Sequence, residues 1–217
     1  MNDASPASCT CTICGARNSS EPATRAGGLK ARGFVSITDQ ARQIKLILFD
    51  VDGVLTDGLV QIHADGTESK NFGIRDGIAM VWAQRVGIAI GFLSARLSAT
   101  TPHRAAQLGV SLVYHGVQSK LATYEQILLD RGLEDREIAY MGDDVVDLAV
   151  LARAGLSAAP ADAVDEVRAR VHWVSTATAG RGAARELIEL VLRAQNLWEG
   201  IVSAYLNEPS IARTTPS

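Results

Sequence analysis

Apolar runs and polar breaks alternate through the middle of the chain in the order of a strand and helix repeat. Leu46, Ile47, Leu48 and Phe49 are apolar without alternation, as in a strand covered on both faces of a parallel sheet. Comparable short runs recur at residues 88–93, 111–114, 138–141, 156–158 and 172–174. Between them lie helical spacings. Ile78, Met80, Val81, Trp82 and Val86 lead to Gly87, and a helix through Arg104 and Leu108 closes at Gly109. Leu121, Tyr124, Ile127 and Leu128 follow Lys120, and residues 181–195 form a last helix of the domain. Residues 59–63 and 68–72 flank Asp65-Gly66 and predict a protruding β-hairpin, since that pair accepts the positive φ angles of a tight turn. Residues 73–77 are expected to be a loop. The pattern predicts an α/β fold: a Rossmann-like three-layer sandwich with a central parallel sheet.

Length and charge bound this picture. With 217 residues, 47% of them hydrophobic, one sizeable domain is expected. It spans residues 37–195. Residues 1–36, rich in Ser, Ala, Thr and Gly, are expected to be a disordered leader, or the product of a start codon assigned too far upstream. Residues 196–217 are a C-terminal extension, helical through Leu197, Trp198, Ile201, Val202 and Tyr205 and then disordered. A net charge of -3 gives no basic footprint for nucleic acid, and no apolar run approaches the roughly 20 residues of a membrane span. The leader lacks the apolar core of a signal peptide, so a cytoplasmic location is expected. Cys9, Cys11 and Cys14 have no fourth ligand nearby, and His63, His103, His115 and His172 show no metal-ligand spacing.

Chemistry gathers where the strands stop. Asp50 and Asp52 follow the first run, and residues two apart in extended chain point to the same side. Gly53 then lets the backbone turn. Ser94 ends the second run, and Asp143 and Asp144 follow the fourth, with Asp147 three residues on. Each has an ordinary reading as a turn or cap residue, and Asp144 is expected to cap the helix after it. Lys120 is harder to dismiss, because a cation opening a helix faces the positive end of its dipole. A parallel sheet delivers all these strand ends to one edge, where ligands bind. Several carboxylates at one point suit Mg²⁺, while a hydroxyl and an ammonium suit phosphoryl oxygens.

In order and spacing, Asp50-Val51-Asp52-Gly53-Val54-Leu55-Thr56, Ser94, Lys120 and Gly142-Asp143-Asp144 resemble the four motifs of the haloacid dehalogenase superfamily of phosphohydrolases. The resemblance implies that Asp50 attacks phosphorus and Asp52 acts as general acid and then base. It also implies that Ser94 and Lys120 hold phosphoryl oxygens, and that Asp50, the backbone carbonyl of Asp52, and Asp143 bind Mg²⁺. From Leu46 to about Leu192 the chain is similar to the 3-deoxy-D-manno-octulosonate 8-phosphate phosphatases, through Asp57-Gly58, the hairpin, Phe72, Arg75-Asp76-Gly77, Gly116-Val117 and Gly182-Ala183-Ala184-Arg185-Glu186.

That family implies hydrolysis of a sugar acid phosphate to the free sugar acid and inorganic phosphate in lipopolysaccharide precursor synthesis. It also implies substrate contacts from Gly73, Ile74, Arg75, Asp76, Gly77, Arg96 and Arg104 alongside Asp52 and Lys120. Ser94-Ala95-Arg96 stands where the family has Thr-Gly-Arg. The alternatives are a phosphatase of another sugar acid, such as a sialic acid type 9-phosphate, and a non-catalytic regulatory α/β domain that uses Mg²⁺ and phosphate. Neither interval between motifs has room for a cap domain. The resemblance therefore implies a homotetramer joined by its hairpins, whose apolar Leu59, Val60, Ile62 and Phe72 would be exposed on a monomer. The tail beyond Gln195 packs either on a neighbour or on its own domain.

Overall fold

The structure, a computed structural model, describes residues 36–207. In chain order, α1 (Ile37–Arg42) leads into β1 (Leu46–Phe49), the hairpin strands β2 (Gln61–Ile62) and β3 (Glu68–Ser69), α2 (Ile74–Arg85), β4 (Ala89–Ser94), α3 (Thr100–Gln107) and β5 (Leu112–His115). Then come α4 (Lys120–Arg131), β6 (Ile138–Met141), α5 (Leu148–Leu151), β7 (Leu156–Ala159), α6 (Asp165–Arg168), β8 (Trp173–Val174), α7 (Ala183–Ala194) and α8 (Trp198–Leu206). The three cysteines and most of the leader lie outside the described residues.

Six strands form a parallel sheet in the order β5-β4-β1-β6-β7-β8. The chain builds outward from β1 to one side, then crosses back to the other. That reversal puts β1 beside the switch in strand order, the usual position of a ligand crevice. Register brings the strand ends level: Phe49 stands opposite both Phe92 and Met141, so Asp50, the end of β4 and Gly142 reach one edge together.

Both sheet faces are covered, which explains the unbroken apolar runs. Ile47 and Phe49 pack with α1, α2 and α7, while Leu46 and Leu48 pack with α4, α5 and α6. Fully burying a side chain such as Phe49 contributes about 1.5–3 kcal/mol, so each strand is anchored from two directions. The expected three-layer α/β sandwich is the observed one. The 12-residue α4 has clear ends: Ser119 accepts the Ala122 N–H, and Gly132 terminates the helix in the left-handed region at φ 62°.

Two expectations are corrected. Residues 73–77 are not a loop, because α2 begins at Ile74 with Gly73 as its N-cap. Gly77 is tolerated inside the helix because the Arg104 guanidinium lies where a Cβ would be, with Nη2 2.5 Å from that position. The last helix of the domain begins at Ala183 rather than residue 181. The carboxylate of Asp76 accepts the N–H groups of Gly182 at 3.2 Å and Arg185 at 2.9 Å, so a residue of α2 caps α7 across the fold. The extension forms α8 against its own chain: Ile201 joins the core, Trp198 meets Trp82 edge-on, and the Trp82 indole donates to Tyr205 at 3.0 Å. Among the described residues, no helix is long and apolar enough to cross a membrane.

Candidate active site

Asp50 ends β1 and is 6% exposed, as is Lys120 at the start of α4. The Lys120 ammonium lies 2.9 Å from Asp50 Oδ1 and 2.6 Å from Asp147 Oδ1. These two carboxylates compensate the unfavourable helix position that made Lys120 conspicuous in the sequence. Asp147 is fully buried and saturated. Its Oδ1 accepts from Lys120 and from the Tyr140 hydroxyl, and its Oδ2 accepts the N–H groups of Asp143 at 3.2 Å and Asp144 at 3.4 Å. Asp147 therefore folds the Gly142-Asp143-Asp144 turn around itself. Asp144 caps the following turn at Val145–Asp147, as expected, by accepting the Val145 N–H at 2.7 Å.

Asp143 completes the cluster. Oxygens of Asp50, Asp143 and Asp147 lie within 4.8 Å of one another, and Asp143 Oδ1 is buried with no hydrogen-bond partner. Gly53 makes this approach possible: a Cβ there would lie 2.0 Å from Asp143 Oδ2, and its φ is +85°. Of these three carboxylates, Asp50 and Asp147 contact the Lys120 ammonium. Burial, reinforced by Asp147 and opposed by Lys120, pushes Asp50 up to about 6. Burial together with Asp50 and Asp147 pushes Asp143 up to about 8. Burial works against the Lys120 charge, but the two carboxylates outweigh it and raise its pKa. The cluster is short of positive charge and holds a free, buried carboxylate oxygen, which fits a divalent cation with oxygen ligands. Asp147 has its oxygens occupied by protein donors, so Asp50 and Asp143 are the side chains better placed to hold one.

The other expected residues divide. Ser94 is buried at the end of β4, with its Oγ 3.3 Å from the Arg96 N–H. Asp52 sits beside the cluster, but its carboxylate faces Lys70 of the hairpin, at 2.7 Å from Oδ1 and 3.0 Å from Oδ2. Arg96 pairs with Glu68 at 2.5 Å, and Ser98 donates to the same carboxylate. Arg104 donates to the Gly73 carbonyl at 3.2 Å and lies over the Phe72 ring. Ile74 and Arg75 are exposed, whereas Asp76 is 2% exposed and committed to capping α7.

Sequence reasoning assigned no role to Asp147, Tyr140, Lys70 or Glu68. A signal for the last two was present. Glu68, Lys70 and Phe72 alternate with the exposed Ser69 and Asn71, which turns one face of the hairpin arm inward.

The chain is similar to several known proteins. A family model described as haloacid dehalogenase-like hydrolase matches residues 100–187. The 3-deoxy-D-manno-octulosonate 8-phosphate phosphatase KdsC of Yersinia pestis is 36% identical over 164 residues, covering 76% of this chain and 88% of that protein. The crystal structure of the Y. pestis phosphatase matches with a TM-score of 0.75 at 36% identity, over 76% of this chain and 89% of that one. A Moraxella catarrhalis 3-deoxy-D-manno-octulosonate 8-phosphate phosphatase, crystallised with a magnesium ion, a phosphate ion and a KDO molecule, matches with a TM-score of 0.76 at 34% identity, over 78% of this chain and 97% of that one. The chain therefore belongs to the haloacid dehalogenase-like hydrolases, within the family of the 3-deoxy-D-manno-octulosonate 8-phosphate phosphatases.

Proposed function

We infer that this chain is a Mg²⁺-dependent phosphoric monoester hydrolase that converts 3-deoxy-D-manno-octulosonate 8-phosphate to the free sugar acid and inorganic phosphate, a step in lipopolysaccharide precursor synthesis. The observation that carries this reading is the cluster of Asp50, Asp143 and Asp147 at the ligand edge of the sheet, with Asp50 and Asp147 paired to the Lys120 ammonium and Asp52 two residues on from Asp50. Among the relatives, the M. catarrhalis phosphatase holds magnesium, phosphate and KDO together.

In this reading an Asp50 oxygen forms a bond to phosphorus as the ester P–O bond breaks. The electron pair of that bond stays on the sugar oxygen, which takes the proton carried by Asp52. The sugar acid leaves, and Asp50 carries the phosphoryl group. A water molecule then attacks phosphorus and gives a proton to Asp52, the Asp50–phosphorus bond breaks, and phosphate departs. Lys120 and Ser94 hold phosphoryl oxygens through both steps. Asp50, the backbone carbonyl of Asp52, and Asp143 would hold Mg²⁺, which would supply positive charge to offset that on the transferring group. The anionic sugar acid meets Arg96 and Arg104, whose planar forks suit carboxylate.

The hairpin exposes Leu59 at 71% and Ile62 at 73%. Contact with other subunits in a hairpin-joined homotetramer accounts for this apolar exposure. A cytoplasmic location accompanies this reading. The test is phosphate release by the purified protein across a panel of sugar phosphates with and without Mg²⁺. The octulosonate ester should be the preferred substrate, with turnover abolished by chelation. Preference for a nine-carbon sialic acid type 9-phosphate would transfer the assignment to that substrate, and no release from any ester would leave only a regulatory domain.

A further inference from the structure

The hairpin carries more than an apolar tip. Lys70 follows β3 with its side chain fully buried, and its ammonium reaches both oxygens of Asp52. The two contacts differ. Oδ2 accepts the aligned hydrogen bond at 3.0 Å, whereas Oδ1 is close at 2.7 Å but is not an aligned acceptor and has no hydrogen-bond partner. Lys70 is the only hydrogen-bond donor to this carboxylate among the described residues. Its own placement is fixed on both sides. Two residues on, Phe72 bridges antiparallel to Thr56, and two residues back, Glu68 is tied to Arg96 and Ser98. The inward alternation of Glu68, Lys70 and Phe72 thus clamps one arm of the hairpin across the loop that carries Asp52.

We propose that Lys70 is the positioning residue for Asp52, holding one carboxyl oxygen on its ammonium so that the other is aimed to pass its proton to the leaving oxygen. The inference rests on Asp52 acting as the general acid. Lys70 forms no bond to the substrate and takes no proton in the step. The Asp52 O–H bond breaks as the leaving oxygen gains its hydrogen, and the carboxylate left behind remains on Lys70. A salt bridge that merely braced the hairpin would affect all substrates alike. Orientation of a general acid matters in proportion to how much the leaving group needs a proton.

The experiment compares the pre-steady-state rate of leaving-group release from the sugar phosphate with that from 4-nitrophenyl phosphate, whose leaving phenolate needs little protonation. This first displacement is the step in which Asp52 acts as acid. Four proteins are used: wild type, Lys70→Met, Lys70→Arg and Asp52→Asn, each checked for folding by circular dichroism. Lys70→Met should lose about 10- to 100-fold on the sugar phosphate and only a few-fold on the aryl ester, since general acid catalysis is worth roughly 10²–10⁴ in rate. KM should change little, and Lys70→Arg should recover much of the loss. Adding Lys70→Met to Asp52→Asn should cost little further. Equal losses on both esters, an effect confined to KM, or additive losses in the double variant would overturn the proposal. If Asp52→Asn itself shows no preference between leaving groups, the acid assignment fails, and the proposal fails with it. If Asp52→Asn shows the preference and Lys70→Met does not, the positioning role alone is overturned.

Discussion

Lys120 Nζ stands 2.6 Å from Asp147 Oδ1, both side chains buried, one opening a helix on one side of the sheet and the other closing the turn after β6. This pair joins the cation proposed to hold phosphate to the turn that presents Asp143. Removing the ammonium would leave Asp50 and Asp147 buried without compensation. Lys120→Met should therefore destabilise the protein by about 3–5 kcal/mol, beyond its loss of activity. Urea unfolding checks this, and Mg²⁺ should recover part of the loss.

Asp50→Asn should reduce phosphate release to background while the protein remains folded, because an amide is a poor nucleophile and a weaker metal ligand. It also removes one of three crowded charges. Its unfolding midpoint without metal should equal or exceed that of the wild type.

Gly53→Ala introduces a Cβ 2.0 Å from Asp143 Oδ2 at a residue with φ +85°. The left-handed backbone alone costs an L-residue about 1–2 kcal/mol. Displacement of Asp143 should also weaken Mg²⁺ binding. Calorimetric titration of the variant with Mg²⁺ should show a clear loss of affinity, and wild-type affinity would separate Asp143 from the metal.

His172 supplies a pH dependence away from the catalytic edge. Its Nδ1 accepts the Ser157 N–H at 3.0 Å and lies 2.8 Å from the Ser157 hydroxyl, and burial holds its pKa below the ordinary value of 6.5. A histidine whose folded pKa is depressed favours the native state above its unfolded pKa. That contribution declines as pH falls below about 6.5. Denaturant unfolding at pH 7.5 and pH 5 should show a loss in the wild type that is smaller in His172→Asn.

The sheet was legible because strands buried on both faces leave unbroken apolar runs, and Leu46, Ile47, Leu48 and Phe49 are the clearest. The acids were legible because each stands at the end of such a run. What the pattern concealed was direction and partnership. Asp76 lies within a motif that suggests substrate contact, yet helix N-capping across the fold turns its carboxylate inward. Gly73 and Gly77 read as loop punctuation, because the packing of Arg104 that permits a helical glycine is a tertiary contact. Asp147 gave no local sign that it would accept four hydrogen bonds. The short α5 and α6, each four residues long, carry too little periodicity to predict.

The most direct test of the account is the covalent intermediate on Asp50. In Asp52→Asn with an aryl phosphate, the first displacement needs no proton donor, while hydrolysis lacks its base. Acid quenching during turnover with radiolabelled aryl phosphate should therefore trap phosphate on the peptide containing Asp50, in a form released by hydroxylamine. Label on another peptide, or phosphate release at the wild-type rate from a folded Asp50→Asn protein, would contradict it.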